Sequence, residues 1–165
     1  MSCCKFVVLD FDGVLTSEGD GTSHKVALPS DYAPSKMCIE KLKRLLDTCN
    51  AKILLATNWR KFSIDGCLIY RNRTYQNPIP KIFQELGDYI FDILPTDRDL
   101  TKSEALVLWF EDNDKHPMDC DFVIFDDRDE EGYGENPYFQ DRFIKTSAKT
   151  GITDMDINRA IEILN

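Results

Sequence analysis

The chain has 165 residues, of which 42% are hydrophobic and 30% are charged, and its formal net charge is −9. These proportions are typical of a folded globular protein, and they predict one domain over residues 1–165 with a substantial core. The negative charge argues against a protein that coats nucleic acid or binds anionic membranes with its whole surface, but it leaves room for a local basic patch.

The six cysteines form no C-x-x-C pair and have no zinc-binding spacing. Cys38 and Cys49 fall in a stretch of helical periodicity, where we expect buried, reduced thiols. The first residues run directly into an apolar strand without a signal peptide, and no apolar run is long enough to cross a membrane. We therefore expect a cytoplasmic protein with no membrane contact.

Predicted strands and helices alternate along the chain. The strands are short apolar runs, and the helices have apolar residues at helical spacing. In chain order they are strand 6–9, helix 35–49, strand 52–60 with its polar end, helix 81–86, strand 89–94, helix 101–112, strand 121–127, strand 143–146 and helix 154–164. This alternation predicts an α/β fold with a doubly wound, Rossmann-like parallel sheet.

Two carboxylates, Asp10 and Asp12, end the first predicted strand, and Gly13 follows them where the chain must turn tightly. In open α/β sheets the chemistry lies just beyond the carboxyl ends of the strands. Two acids this close repel each other unless a cation or a shared proton holds them together. The pattern indicates Mg²⁺ and a carboxylate nucleophile, and a solvated acidic turn is the alternative.

Two further predicted strands also end in polar residues. Thr57 and Asn58 close the second strand, and Asp126 and Asp127 close the strand that begins at residue 121. Because parallel strands end at the same edge of a sheet, these side chains and the first acids are expected to lie close together.

Lys102 is the basic residue expected nearest to these strand ends. It falls in the first turn of a helix that Thr101 and Glu104 open as a capping box. A lysine is unfavourable beside the positive end of a helix, so it is either solvated or neutralised by an anion. Lys81 also begins a predicted helix and is the rival candidate, but Lys102 is favoured because it precedes the strand that ends at Asp126.

The stretch 59–76 is basic although the whole chain is acidic. It contains four basic residues and one acidic residue, and the aromatic residues Trp59, Phe62, Tyr70 and Tyr75 are interleaved with the basic ones. Guanidinium groups bind phosphates and aromatic faces stack on bases. One interpretation is a substrate-binding platform, to which we assign Trp59, Arg60, Arg71 and Arg73, and the other is a loop anchored by its aromatic residues. His24 lies in a predicted loop over residues 17–32, where a solvated histidine is expected.

The run Asp10-Phe-Asp-Gly-Val-Leu-Thr16, followed by Thr57, Lys102 and the pair Asp126-Asp127, resembles the four motifs of haloacid dehalogenase (HAD) superfamily phosphatases in content and order. The resemblance extends over nearly the whole chain. The segments 57–60, 125–127 and 145–164 resemble a narrower group, the small HAD domains found alone or fused in bacterial multi-enzyme RNA-repair proteins.

The resemblance implies a role for each motif residue. Asp10 would attack phosphorus and form an aspartyl-phosphate. Asp12 would protonate the leaving oxygen and then activate the hydrolytic water. Thr57 and the backbone of Asn58 would bind phosphoryl oxygens, and Lys102 would neutralise charge on the phosphoryl group and on Asp10.

The resemblance also implies the cofactor Mg²⁺. Its ligands would be Asp10, the backbone carbonyl of Asp12, and Asp126, with Asp127 bound directly or through water. In the turn that follows, Asp129 and Glu131 are expected to be solvated, with an outer-shell metal role as the alternative.

HAD enzymes often select substrates with a cap domain, but neither interval of this chain that accepts one is long enough to hold it. An open site suits a large phosphorylated substrate, and we predict a phosphatase acting on polynucleotide or nucleotide phosphate ends. The charge of −9 argues against that substrate. A small-metabolite phosphatase, a phospho-receiver domain and a non-catalytic HAD-fold binding or regulatory module are the alternatives.

Overall fold

The computed structural model describes residues 4–22, 33–64, 67–70, 73–76, 84–97 and 99–165, with the backbone alone for residues 61–64, 67–70 and 73–76. In chain order the strands are β1 (Lys5–Leu9), β2 (Ala51–Leu55), β3 (Ser63–Ile64), β4 (Cys67–Tyr70), β5 (Arg73–Gln76), β6 (Ile90–Ile93), β7 (Asp121–Asp126) and β8 (Phe143–Lys145). The helices named here are α1 (Lys36–Cys49), α2 (Lys102–Asp112) and α3 (Asp154–Leu164).

A five-stranded parallel sheet forms the centre of this fold, with the strand order β6-β2-β1-β7-β8. The apolar run that begins at Phe6 gives β1 the central position, where both edges of the strand are paired. β1 pairs with β2 on one side and with β7 on the other. The three strands whose ends were predicted to carry the chemistry are therefore immediate neighbours.

Helices cover both faces of the sheet, which confirms the predicted doubly wound α/β architecture. Successive side chains of a strand point to opposite faces. Val7 and Leu9 of β1 join the buried core formed with α1 and α3. Phe6 and Val8 join a second core formed with α2.

The helix starts follow from local capping signals. The Ser35 hydroxyl accepts a hydrogen bond from the Cys38 backbone N–H at 3.2 Å at the start of α1. Thr101 and Glu104 form the predicted capping box at the start of α2. This cap makes Lys102 the first residue of α2.

The segment after β2 differs from the sequence expectation of a strand over 52–60 followed by a loop. β2 ends at Leu55, a 3₁₀ helix spans Asn58–Phe62, and β3, β4 and β5 then form a three-stranded antiparallel sheet. Only two residues connect β4 to β5, a length typical of a β-hairpin. The interleaved basic residues lowered the apolar content of this segment, so its periodicity predicted a loop. No separate cap domain is evident in the described ranges.

The thiols of Cys38 and Cys49 are buried and free, as predicted. Within the described ranges, no helix has both the length and the apolar composition needed to span a bilayer.

Candidate active site

The candidate site lies where β1, β2 and β7 end side by side. Asp10 directly follows β1, Asp126 is the last residue of β7, and Thr57 lies two residues beyond β2. The Asp10 backbone N–H donates to the Phe125 carbonyl at 3.1 Å, so the β1–β7 ladder continues to the first acid. The sheet itself therefore holds these groups in position.

Lys102 reaches this edge of the sheet from the start of α2. Its Nζ lies 3.0 Å from Asp10 Oδ1 and 2.7 Å from Asp126 Oδ2. The three side chains are buried, with 1%, 5% and 0% of their surface exposed. The cation of the predicted site is thus Lys102, whereas Lys81 lies outside the described residues.

Burial and mutual repulsion alter the acidity of the carboxyl groups. Burial, followed by the Asp10 charge, raises the pKa of Asp12 to about 7 and the pKa of Asp126 to about 7. The same two causes raise the pKa of Asp127. Burial and the neighbouring negative charge therefore both disfavour the ionised form of these carboxyl groups.

The surroundings of Lys102 favour its charged form. Burial alone would lower its pKa, but the charges of Asp10 and Asp126 outweigh burial and raise the pKa above its usual value. Lys102 therefore stays charged, and it compensates only part of the negative charge of the surrounding acids.

Asp10, Asp126 and Asp127 can together hold a metal ion. Each offers one carboxylate oxygen, and these atoms lie within 4.8 Å of one another. Asp127 Oδ1 is buried and accepts no hydrogen bond from the described residues. Three carboxylates are hard oxygen ligands of the kind that Mg²⁺ prefers, so the residues present fit a divalent cation. The contribution of the Asp12 carbonyl stays a prediction.

The turn after β1 is shaped to admit Asp127. Gly13 has φ of +73°, and a β-carbon at this position would overlap the Asp127 carboxyl group. The Gly13 N–H donates to Thr16 Oγ1 at 3.0 Å, and its carbonyl accepts from Thr146 Oγ1 at 2.7 Å. The glycine predicted from the sequence is thus required both for the turn and for the close approach of an acid.

Gly13→Ala is expected to weaken divalent-metal binding by about 10- to 100-fold, the range seen when an outer-shell support is lost. The added methyl group displaces the Asp127 carboxylate. Gly21→Ala is the matched control, because Gly21 also has positive φ, +81°, but has no atom within 4 Å of an added β-carbon. Both variants bear similar backbone strain. Titration of Mg²⁺ or Mn²⁺ by calorimetry measures the difference, and equal affinities in the two variants would contradict the prediction.

Thr57 and Asn58 lie just beyond the end of β2, and not within the strand over 52–60 that the sequence predicted. Thr57 is fully buried, and its Oγ1 accepts the Trp59 backbone N–H at 3.3 Å. The Asn58 side chain is used elsewhere, because its Nδ2 donates to Glu131 Oε1 at 3.0 Å. The assignment of phosphoryl oxygens to Thr57 and to the Asn58 backbone stays a prediction.

Glu131 belongs to this site, although the sequence favoured a solvated side chain and gave an outer-shell metal role only as the alternative. The expectation of a solvated side chain is wrong: only 8% of Glu131 is exposed, and its Oε2 accepts the Lys102 backbone N–H at 3.0 Å. Together with its bond to Asn58, this contact joins the turn after β7 to α2 and to the end of β2. Free N–H groups at a helix start favour an acceptor, but only the tertiary contact shows which one. Asp129 is exposed and pairs with Lys145.

The structure contradicts the prediction that Arg60 binds substrate. Only 4% of Arg60 is exposed. Its guanidinium donates at 2.8 to 3.3 Å to the backbone carbonyls of Ala56, Thr57, Leu94 and Pro95. Since its donors are engaged inside the protein, Arg60 fastens the end of β2 to the residues that follow β6.

Trp59 was predicted to stack on substrate, but the structure shows a different contact. The indole is half-buried, and its Nε1 donates to Asp12 Oδ2 at 2.9 Å. The indole N–H therefore donates a hydrogen bond to a carboxylate of the site itself.

The remaining predicted substrate residues cannot be placed. Arg71 lies outside the described residues, as does His24. Arg73 begins β5, but only its backbone is described.

Comparisons with known proteins agree with this fold. Residues 6–157 match the family described as the HAD domain in Swiss Army Knife RNA repair proteins, a range that includes all four motifs. The solved structure of the cobalt-bound form of the deoxy-D-mannose-octulosonate 8-phosphate phosphatase (YrbI) from Haemophilus influenzae has a TM-score of 0.52 and 16% sequence identity, covering 98% of this chain and 86% of that chain. At this identity the likeness shows the fold alone. No curated protein sequence matches the chain.

Proposed function

Because the chain belongs to the family of HAD domains in Swiss Army Knife RNA repair proteins, we propose that it is a Mg²⁺-dependent phosphomonoester hydrolase acting through an aspartyl-phosphate on Asp10. The observation that carries the proposal is the cluster of buried Asp10 and Asp126 with half-buried Asp127, and with Lys102 Nζ 3.0 Å from Asp10 Oδ1. This arrangement supports a phosphatase of the HAD type, and we expect residues 1–165 to act as one phosphatase domain.

The proposed reaction has two steps. A carboxylate oxygen of Asp10 bonds to phosphorus while the ester P–O bond breaks, and the leaving oxygen takes that electron pair and a proton from Asp12. Asp12 then takes a proton from water, whose oxygen attacks phosphorus and releases inorganic phosphate and free Asp10. When bound, Mg²⁺ offsets the repulsion between the phosphate and the acids. Lys102 stabilises the charge on the reacting oxygens from the α2 side.

Asp12 suits a group that both donates and accepts a proton. Burial and the Asp10 charge raise its pKa to about 7, close to the pH at which such a group works best. Its Oδ1 is buried and has no hydrogen-bond partner among the described residues, so this atom is free for a substrate oxygen.

We propose phosphorylated polynucleotide or nucleotide ends as the substrate class. The family description supports this choice, because it names RNA repair proteins. The basic residues Arg71 and Arg73 also support it, since both follow the active-site segment 57–60 in the sequence, and Arg73 begins β5 of the small antiparallel sheet. With a net charge of −9, recognition of a polyanion must rest on such a local group of cations.

The test is phosphate release in Mg²⁺ from 3′- and 5′-phosphorylated oligonucleotides, mononucleotides, a sugar phosphate and an aryl phosphate. Oligonucleotides are expected to have the highest kcat/KM. Arg73→Ala is expected to lower that value several-fold and to weaken its salt dependence. Arg159→Ala, which removes an exposed arginine of α3, is the matched control. Turnover of aryl or sugar phosphates without oligonucleotide preference would reject the nucleic-acid substrate, and no turnover at all would reject the phosphatase.

A further inference from the structure

Resting on the proposed function, we infer that Trp59 is a positioning residue for Asp12: its indole N–H binds one carboxylate oxygen and leaves the other to exchange the proton with the leaving group. The effect of Trp59 falls on the step in which the substrate ester bond breaks.

The hydrogen bond between Trp59 and Asp12 has a fixed donor and a fixed acceptor. Trp59 Nε1 lies 2.9 Å from Asp12 Oδ2. An indole N–H only donates, so Oδ2 is kept as an acceptor. Asp12 Oδ1 is buried and unpartnered among the described residues. The carboxyl group thus has one oxygen held by the protein and one oxygen left for the substrate.

Trp59 is itself held from several directions. Its backbone N–H donates to Thr57 Oγ1 at 3.3 Å, so one residue touches both the predicted phosphate-binding hydroxyl and the predicted acid. Its ring packs against the core formed with α1 and α3. The neighbouring Arg60 fastens the same 3₁₀ helix to the carbonyls of Leu94 and Pro95. A donor held this rigidly fixes the acid with little loss of side-chain entropy.

Asp12 needs such a support because, in the described part of the chain, Trp59 is the group that donates a hydrogen bond to its carboxylate. The negative charges of Asp10 and Asp127 repel its carboxylate, while the charge of Lys102 attracts it. Without the indole N–H, the side chain is free to turn toward Lys102 and away from the leaving oxygen. Proton delivery is then impaired, while attack by Asp10 still has its own groups in place.

The first test compares leaving groups in Trp59→Phe, which keeps an aromatic ring and removes the donor. The nitrophenolate of nitrophenyl phosphate leaves without needing a proton, whereas the alcohol oxygen of an alkyl phosphate must be protonated as it leaves. We expect kcat/KM to fall about 10- to 100-fold for the alkyl phosphate, a part of the roughly 10²–10⁴-fold that a positioned acid contributes. For nitrophenyl phosphate we expect a change of less than about threefold, because its departure does not depend on the acid.

Trp109→Phe is the matched control. Trp109 Nε1 also donates to a carboxylate, Asp92 Oδ2, at 2.8 Å, but Trp109 lies about two helical turns from Lys102 along α2. This variant loses the same type of bond, so its stability is expected to fall while its ratio of alkyl to nitrophenyl kcat/KM stays at the wild-type value.

A second readout does not depend on turnover. The chain has two tryptophans, so Trp109→Phe leaves Trp59 as the sole indole fluorophore. In that background, Asp12→Ala is expected to shift the emission of Trp59, whereas Asp129→Ala, at an exposed acid paired with Lys145, is expected to leave it unchanged.

The outcomes separate the two proposals. An active wild type with equal losses for both leaving groups in Trp59→Phe would overturn the positioning role and keep the phosphatase. Unchanged Trp59 emission after Asp12→Ala would overturn the contact itself. A wild type that releases no phosphate from any ester would overturn the proposed function and this inference with it.

Discussion

Asp10→Asn is expected to abolish phosphate release, by about 10⁴- to 10⁶-fold in kcat, while the protein stays folded. An amide cannot form the acyl phosphate, and removal of a covalent nucleophile has effects of this size. Asp121→Asn is the control, because Asp121 is an exposed acid at the opposite end of β7. The measurements are phosphate release in Mg²⁺ and trapping of labelled phosphoenzyme, and substantial residual turnover by Asp10→Asn would contradict the prediction.

In metal-free buffer, the free energy of unfolding of the same variant should depend on pH differently from that of wild type. After burial, the Asp10 charge is the next cause that raises the pKa of Asp12 and of Asp126 from 3.8 to about 7. A carboxyl group with a raised folded-state pKa binds more protons in the folded state, so its contribution to the free energy of unfolding falls as pH rises from about 4 to about 7.

Removing the Asp10 charge relieves this repulsion, although the ion pair of Asp10 with Lys102 is also lost. The stability difference between Asp10→Asn and wild type is therefore expected to shift in favour of the variant from pH 5 to pH 8. The shift is roughly 1 kcal/mol for each unit by which the substitution lowers the pKa of Asp12 or Asp126. Urea unfolding at both pH values in the presence of a chelator measures the difference. A relative loss of stability at the higher pH would show that the ion pair outweighs the repulsion.

Lys102→Met is expected to lower the free energy of unfolding by about 3–5 kcal/mol, the cost of leaving buried charges without their partner. Lys102 is 1% exposed and contacts two acids, Asp10 at 3.0 Å and Asp126 at 2.7 Å. Activity is expected to fall with stability, since no cation then faces Asp10 from α2. Saturating Mg²⁺ should restore more stability to this variant than it adds to wild type, because the metal ion supplies positive charge to the same acids.

Lys43→Met is the matched control for that loss. Lys43 pairs with Glu85 at 3.3 Å, but both side chains are partly solvated, with 34% and 54% exposed. Exposed pairs contribute about 0–1 kcal/mol. Denaturant unfolding with and without Mg²⁺ compares the two variants, and a Lys102→Met protein as stable as Lys43→Met would contradict the role of Lys102 as the buried counter-charge.

The sequence by itself determined the order of the strands and helices that build the parallel sheet and the positions of the acids at the strand ends, but it did not show the antiparallel sheet of β3, β4 and β5. Those features depend on local chemistry: apolar runs form buried strands, Thr101 with Glu104 starts a helix, and Gly13 permits a turn. The four motifs could also be matched without coordinates, because each consists of neighbouring residues. Lys102 could also be placed near Asp10 without coordinates, because strand ends and the helix starts that follow them lie at one edge of the sheet.

Only the tertiary structure decided what the polar side chains around these motifs contact. Arg60, Trp59 and Glu131 lie in polar, charged segments, and such segments predict solvent exposure. Their partners are instead the carbonyls of Leu94 and Pro95, the Asp12 carboxylate and the start of α2. These groups are distant in the chain and come together only when strands and helices pack, so no local pattern specifies them. The local chemistry therefore determines where the site forms, whereas packing determines which side chains hold its acids in place.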